Sequence, residues 1–432
     1  MIRHAMKLAS SAVVWALLAA SAHGASVAAD DAQLARQGAY LARVGDCVAC
    51  HTAKDGEPFA GGLPIETPIG KVYSTNITPD KTTGIGSYSL EDFDRALRHG
   101  ISKAGYSLYP AMPYPSYVSV KEDDVKALYA YFMRGVPPVN RSNRQPDIPW
   151  PLSARWPLAA WRWLFAPSVV EVTNAPDGDT VARGRYLVQG LAHCGACHTG
   201  RGMGYQEEAL GDESTAFLSG SVINHYFAKD LRADPVDGLG MWSTQDIVQF
   251  LKAGRTHRAA AFGGMADVVE HSTQYLDDAD LEAIAAYLKT LRPLDSKETA
   301  LAYDDTTAKA LRTGTDKSGG AMLFLDNCAA CHRSTGQGYS ETFPPLAQSS
   351  VINTEDPTSL IHLVLSGGAM PATHGAPTRF AMPGFAERLS DQEVATVLTY
   401  VRSSWGNRGS AVSASEVAKV RRAIGAATVV QR

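Results

Sequence analysis

The chain reads as an all-α protein of three consecutive small helical domains, and three observations lead there. The pattern Cys-x-x-Cys-His occurs at Cys47–His51, Cys194–His198 and Cys328–His332, and it takes up all six cysteines. Segments flanking each copy repeat too, with amphipathic helix signatures in matching places. Alternating apolar–polar runs, the mark of half-buried strands, are scarce. The copies lie much farther apart than the roughly 20–50 residues of a solenoid unit, so whole domains repeat.

Residues 1–29 come first. Arg3 and Lys7 precede an apolar stretch from Ala12 to Ala20, and Val27-Ala28-Ala29 offers small residues for cleavage before Asp30. That is the pattern of a secretory signal peptide, so export to the periplasm is expected. Neither this stretch nor any later one reaches the roughly 18 apolar residues a membrane span requires. With 45% hydrophobic and 19% charged residues, the composition is that of an ordinary soluble chain. A formal charge of −4 and the lack of a Lys/Arg-rich run exclude a nucleic-acid surface.

Domain one is expected over 30–143, domain two over 175–295 and domain three over 316–407. "QGAYLARVGDCVACH" in the first matches "RGRYLVQGLAHCGACH" in the second, each with Gly-x-Tyr-Leu ahead of the cysteines. "GIGSYSLEDFDRALRHG" (Gly84 to Gly100) matches "GLGMWSTQDIVQFLKAG" (Gly238 to Gly254). In both, a serine N-cap opens an amphipathic helix that stops at glycine. Domain three has a looser version, "DPTSLIHLVLSGG". Each domain closes with a helix, from Lys121, Leu276 and Leu389, whose first turn is acidic as the helix dipole favours. Val125, Leu128 and Tyr131 correspond there to Leu281, Ile284 and Tyr287, and to Val394, Val397 and Tyr400. The i, i+3, i+6 spacing marks one buried stripe.

Linkers are expected at 144–174 and 296–315. The first holds Trp150, Trp156, Trp161 and Trp163, four of the chain's seven tryptophans. Tryptophan suits half-wet sites, which points to docking on a partner or a bilayer interface, with interdomain packing as the alternative. In the tail, 408–432, a helix would gather Val417, Val420, Ile424 and Ala427 on one side, away from Lys419, Arg421 and Arg422. Such a helix suits a membrane surface or a partner; the alternative is a disordered terminus.

Cys-x-x-Cys-His is the pattern of covalent haem attachment. Cysteines at i and i+3 share a helix face, so both thiols reach the vinyl groups of one porphyrin. The adjacent histidine then presents its imidazole to iron. A structural zinc site needs four ligands, and a redox dithiol has no use for the histidine. The pattern therefore predicts three covalently bound haem c groups, on Cys47/Cys50, Cys194/Cys197 and Cys328/Cys331, with His51, His198 and His332 on iron. For the sixth ligand each domain offers a methionine between its middle and last helices: Met112, Met265 and Met382. A lone methionine is usually core filler, but equivalent placement three times favours ligation. Met370 is the rival in domain three. His99, His257, His271, His362 and His374 are expected to be solvated or hydrogen-bonded. A proximal imidazole should donate its other N–H to a backbone carbonyl, and "FPPLA" offers Pro344 or Pro345.

Carried by "CVACHTAKDGEPFAGG", "YSTNITPDKTTGIGSYSLEDFDRALRHGIS", "LYPAMPYPSY", "YLVQGLAHCGACHTGRG", "FLSG" and "FAMPGFAERLSDQEVATVLTYVRSSWGN", the mature chain resembles a known family throughout. It resembles the triheme cytochrome c subunit of bacterial periplasmic, membrane-associated dehydrogenases acting on alcohols, gluconate, sorbitol, fructose or glucose. The resemblance implies electron transfer from a flavin or quinoprotein catalytic subunit through three haems to ubiquinone. It also implies peripheral attachment to the outer face of the cytoplasmic membrane, and the axial pairs His51/Met112, His198/Met265 and His332/Met382. No catalytic residue is expected. Two other readings compete: a haem peroxidase-like enzyme, which needs an open sixth position, and a freestanding soluble electron shuttle. A methionine in every domain argues against the first, and three centres in series suit a fixed relay better than a shuttle.

Overall fold

The computed structural model describes residues 30–170, 178–223 and 225–430; the expected signal peptide lies outside the described residues. Unit one starts with α1 (30–44) and the short motif helix α2 (Cys47–Cys50). A hairpin of β1 (Pro64–Thr67) and β2 (Gly70–Tyr73) follows, then α3 (Leu90–His99), α4 (Tyr114–Tyr117) and α5 (Glu122–Arg134). The Trp-rich stretch forms α6 (Trp156–Phe165). Unit two repeats the order with α7 (Thr180–Tyr186), a π-helical turn over Leu187–Leu191, α8 (Gly195–His198), the hairpin β3 (Ser221–Ile223) and β4 (Tyr226–Ala228), α9 (Thr244–Ala253), α10 (Gly264–His271) and α11 (Asp278–Leu288). Unit three comprises α12 (Thr306–Thr313), α13 (Gly319–Asn327), α14 (Ala329–His332), α15 (Ser350–Asn353) and α16 (Thr358–Ser366). Two-residue strands β5 (Gly368–Ala369) and β6 (Ala381–Met382), then α17 (Asp391–Arg402) and α18 (Ala414–Val430), complete it. The all-α expectation stands. Strands are confined to three two-stranded ribbons among the described residues.

Local chemistry sets the helix ends where the sequence puts them. Ser89 accepts from the Asp92 N–H while the Asp92 carboxylate accepts from the Ser89 N–H, and Ser243 with Asp246 repeats that box. α3 and α9 both stop at a glycine in the left-handed region, Gly100 at φ 63° and Gly254 at φ 71°. On the closing helices the expected stripe is buried, apart from Tyr131 and Tyr400, which are half-buried.

In each unit the first long helix crosses the last at a glycine: Gly38 on α1, Gly184 on α7 and Gly320 on α13. A Cβ at Gly38 would lie 1.9 Å from the Ala127 carbonyl oxygen, and one at Gly184 would lie 1.9 Å from that of Ala283. At Gly320 it would meet the Tyr400 Cβ at 2.6 Å. Contact this close, with backbone at Gly38 and Gly184 and with a Cβ at Gly320, leaves room for hydrogen alone.

Units one and two share a single hydrophobic core, which runs from Leu41 and Phe93 to Tyr186 and Leu281; unit three has its own, around Phe324 and Trp405. Two expectations need correction. The stretch 296–315, taken as a linker, contains α12, which puts Ala308 and Leu311 into the core of unit three. The apolar side of the tail helix does not face a membrane: Val417 and Val420 are buried in that same core, and Ile424 packs on it. Arg421, expected on the free side, donates to Asp391 at 2.7 Å and to the Leu389 carbonyl at 2.8 Å.

A reciprocal pair of contacts joins units one and two. Tyr40 of α1 donates to Asp280 of α11 at 2.6 Å, and Tyr186 of α7 donates to Asp124 of α5 at 2.5 Å. These are equivalent residues, so each unit gives a tyrosine and receives one, as in a two-fold dimer. The acceptor is held from within its own unit, Asp280 by Arg183 in a fork of two 2.8 Å bonds and Asp124 by Gln37 at 3.2 Å. Unit three has Met322 and Glu393 at these places. Tyr186→Phe strips a buried carboxylate of a donor and is expected to cost about 1.5–3 kcal/mol, read from denaturant midpoints.

Candidate functional site

Each motif follows the first long helix of its unit. Asp46 (φ 49°) and His193 (φ 39°) take left-handed backbone to make that turn in units one and two. A single helical turn then puts the cysteines on one face: the N–H of His51 reaches the Cys47 carbonyl at 2.9 Å, that of His198 the Cys194 carbonyl at 3.0 Å, and that of His332 the Cys328 carbonyl at 3.0 Å. None of the six cysteines is paired in a disulfide.

The three imidazoles are oriented alike. Nδ1 of His51 donates to the Thr75 carbonyl at 2.7 Å, that of His198 to the Lys229 carbonyl at 2.7 Å, and that of His332 to the Pro344 carbonyl at 2.9 Å. Pro344 is one of the two acceptors the sequence offered. A bond at Nδ1 leaves the lone pair on Nε2, the arrangement a proximal ligand needs. Burial holds all three below the usual histidine range, His198 at about 4, so the rings are neutral.

The thiols also speak to their chemistry. Burial pushes Cys47 and Cys194 up to about 12, and Cys50 and Cys328 up to about 11. Cys50 and Cys197 keep accessible surface on one side, yet the protein behind them is dense enough to raise both. Thiols that stay protonated are poor redox nucleophiles. No group of three or more His, Cys, Asp and Glu is placed to hold a metal ion among the described residues. Paired thiols beside a neutral imidazole with its Nε2 free fit haem c instead.

Cys331 departs from the likeness of the three turns that the repeated motif leads one to expect. It is half-buried, whereas its counterparts Cys50 and Cys197 are exposed. In packing the turns stay alike: Cys47, Cys194 and Cys328 lie against their cores, and the second cysteine of each motif does not. The chain returns to the motif sooner in this unit: the His332 carbonyl accepts from Gly338, while that of His51 waits for Gly61 and that of His198 for Gly220. Arg333, left-handed at φ 60°, starts that early return. The pairing of the two thiols is kept, since the Cys331 N–H reaches the Cys328 carbonyl at 3.2 Å and closes the same turn.

Met112 packs half-buried on the shared core, where Cys47 also sits. Met265, in the first turn of α10, packs with Ala261, Ala266 and Val269. Met382 lies on β6 opposite Gly368 and packs on the core of unit three, as Cys328 does. The rival Met370 is buried next to Pro371, which abuts Gly254 of unit two. Of the two, Met382 is the one that packs on the same core as Cys328.

The Cytochrome c family profile matches residues 181–292 and 318–405. Over 417 residues the chain is 54% identical to the gluconate 2-dehydrogenase cytochrome c subunit of Pantoea cypripedii, covering 95% of both chains. The chain belongs to this family of dehydrogenase cytochrome c subunits. It is also 51% identical to the cytochrome c subunit of alcohol dehydrogenase (quinone) from Komagataeibacter europaeus, over 96% of this chain and 90% of that one. With the fructose dehydrogenase cytochrome subunit of Gluconobacter japonicus the identity is 39%, over 93% and 84%. Membership makes covalent haem c the cofactor and electron transfer the task. Unit one, beyond the profile match, carries the same motif, imidazole anchor and glycine crossing.

For such a cytochrome subunit the distances between motifs matter, and the fold brings the first two together. Cys50 lies near enough to Cys197 to sense its charge. Tyr117, buried beside Cys47 and Cys50, meets the His193 ring edge-on at 5.7 Å. α10 runs from Met265 to pack on α2, and Arg43 donates to the His271 carbonyl at 3.2 Å. Toward unit three, the link that starts from a motif is Lys229. Its carbonyl orients His198, while its ammonium donates to Ser350 at 2.9 Å. Sequence reasoning missed Tyr117, His193 and Lys229, whose roles arise only when units meet.

Two acids lie beside these motifs, each with one buried oxygen lacking a partner: Asp46 and Glu207. Burial raises Asp46 to about 8 and Glu207 to about 7. Folded Glu207 thus keeps its proton after the unfolded chain has lost it, so its contribution to stability declines as pH rises from about 4.5 to about 7. Glu207→Gln is expected to unfold later than the parent at pH 8, with the gap closing at pH 5, in thermal melts of the two proteins.

Proposed function

We propose that this chain is a triheme cytochrome c subunit that takes electrons from a catalytic dehydrogenase subunit of the flavin or quinoprotein type and hands them to ubiquinone. It acts in the periplasm, attached peripherally to the outer face of the cytoplasmic membrane. The haem-bearing domains are 30–143, 175–295 and 316–407, the third completed by α12 and α18. One observation carries the reading: three Cys-x-x-Cys-His turns, each with a neutral imidazole pinned through Nδ1, two of them facing across a shared core. Relatives named as subunits of gluconate, alcohol and fructose dehydrogenases support the partner. The word quinone in the alcohol dehydrogenase name supports the acceptor.

Haem c, once attached, supplies a one-electron iron centre. The residues of the chain do the rest. Cys47/Cys50, Cys194/Cys197 and Cys328/Cys331 anchor the groups. Carbonyls of Thr75, Lys229 and Pro344 keep His51, His198 and His332 from rotating and make them better donors. Met112, Met265 and Met382 present thioethers, which favour a higher potential than a second imidazole would. The Tyr40–Asp280 and Tyr186–Asp124 bonds fix the first motif against the second, holding constant the gap an electron must cross.

The test is a redox titration of the holoprotein followed by mixing with ubiquinone-1. Three one-electron, low-spin centres and re-oxidation by the quinone are expected. Fewer centres, or a high-spin iron that turns over peroxide, would count against the relay.

A further inference from the structure

Helix α6 and the residues leading into it form the largest group of exposed aromatic side chains on the described surface. Trp150, Trp156 and Trp163 are 86%, 79% and 82% exposed, with Leu152 and Leu164 also largely exposed beside them. Met203, from the loop after the second motif, is fully exposed too. Had this stretch served interdomain packing, these rings would be covered. Only Trp161 is used that way: its Nε1 donates to the Gly204 carbonyl at 2.7 Å and its ring meets Tyr114 edge-on at 6.3 Å.

The helix is fastened down rather than loose. Arg155 stacks on Tyr106 and Tyr109, each 4.6 Å from the ring centre, and Arg162 donates to the His99 carbonyl at 3.2 Å. So the outer tryptophans stand out from a rigid base. The chain carries a formal charge of −4, yet no Asp or Glu occurs from 148 to 170, where Arg155 and Arg162 are the charged residues. Tryptophans with basic residues and no acid match the headgroup layer of an anionic bilayer, where indoles settle at the boundary and cations meet lipid phosphates. No described helix is long and apolar enough to cross a membrane, so contact by the described residues has to be made by surface.

We propose that Trp150, Trp156 and Trp163, with Leu152, Leu164 and Met203, form the docking face by which this chain lies on an anionic lipid bilayer. The proposal rests on the peripheral attachment given above and names its site. It sets units one and two toward the lipid, since α6 is fixed to Tyr114, just past Met112, and to Gly204, just past His198.

The experiment compares the mature holoprotein with the variant Trp150→Gln/Trp156→Gln/Trp163→Gln in co-sedimentation with equimolar phosphatidylglycerol–phosphatidylcholine vesicles. All three rings are largely exposed, so haem content and redox titration should match between the two proteins. The parent is expected to bind, more weakly in high salt, and the variant to lose at least tenfold in apparent affinity. A variant that binds like the parent, or a parent that ignores the vesicles, overturns the docking face. The same holds if the variant instead loses its hold on the dehydrogenase subunit, which would make the face a protein interface. Reduction of water-soluble ubiquinone-1 needs no bilayer and should survive in the variant. Its failure in the parent would sink the relay and leave vesicle binding untouched.

Discussion

Gly184→Val is expected to destabilise the protein by at least about 3 kcal/mol and to lower the yield of holoprotein. The added Cβ would lie 1.9 Å from the Ala283 carbonyl oxygen and 2.8 Å from the Tyr287 Cβ, so α7 and α11 must move apart. Neither neighbour is a flexible chain end that can swing aside. The displacement would pull Tyr186 from Asp124 and open the core shared with unit one. Gly320→Ala at the matching place meets the Tyr400 side chain instead of a carbonyl and should be milder. Denaturant unfolding of the three proteins, followed at the Soret band, gives the order.

Cys194→Ala/Cys197→Ala is expected to abolish quinone reduction and to damage unit one as well. The second motif faces the first, and Lys229, which orients His198, is also bound to unit three. Losing the middle centre therefore interrupts the path, and the porphyrin that Cys194 and Cys197 would hold no longer covers apolar side chains there. Cys328→Ala/Cys331→Ala is the informative contrast. Unit three has a separate core, so that variant should keep a folded pair of centres with near-native spectra while still failing as a complete relay. Haem staining and the reduced visible spectrum distinguish the two.

The parts of this fold governed by local chemistry were legible from sequence. Serine caps, terminal glycines and the buried stripe of each closing helix come from nearest-neighbour rules, and the Cys-x-x-Cys-His turn carries its own geometry. That geometry does not extend to the cover over each turn, which is why Cys331 differs from Cys50 and Cys197 although the motif is the same. Pro344 was foreseeable as the acceptor for His332, lying 12 residues on, whereas Thr75 and Lys229 offered no pattern. What escaped was pairing between units. Gly-x-Tyr-Leu and the first-turn acids were visible as repeats, yet one sequence does not say that a tyrosine in one copy seeks the acid of another. The acids looked like dipole partners only. Likewise Val417 and Val420 gave a true amphipathic pattern, but periodicity reports that a face is covered and not by what. For the tryptophans the ambiguity ran the other way: composition left packing and docking equally open, and exposure rules out packing for three of the four.

The account depends on iron porphyrin being joined to this polypeptide at Cys47/Cys50, Cys194/Cys197 and Cys328/Cys331. Intact-mass spectrometry of the protein matured in its native host tests that directly. A mass equal to the processed chain plus three haem groups is the predicted result, and a stoichiometric product carrying two or fewer would contradict it.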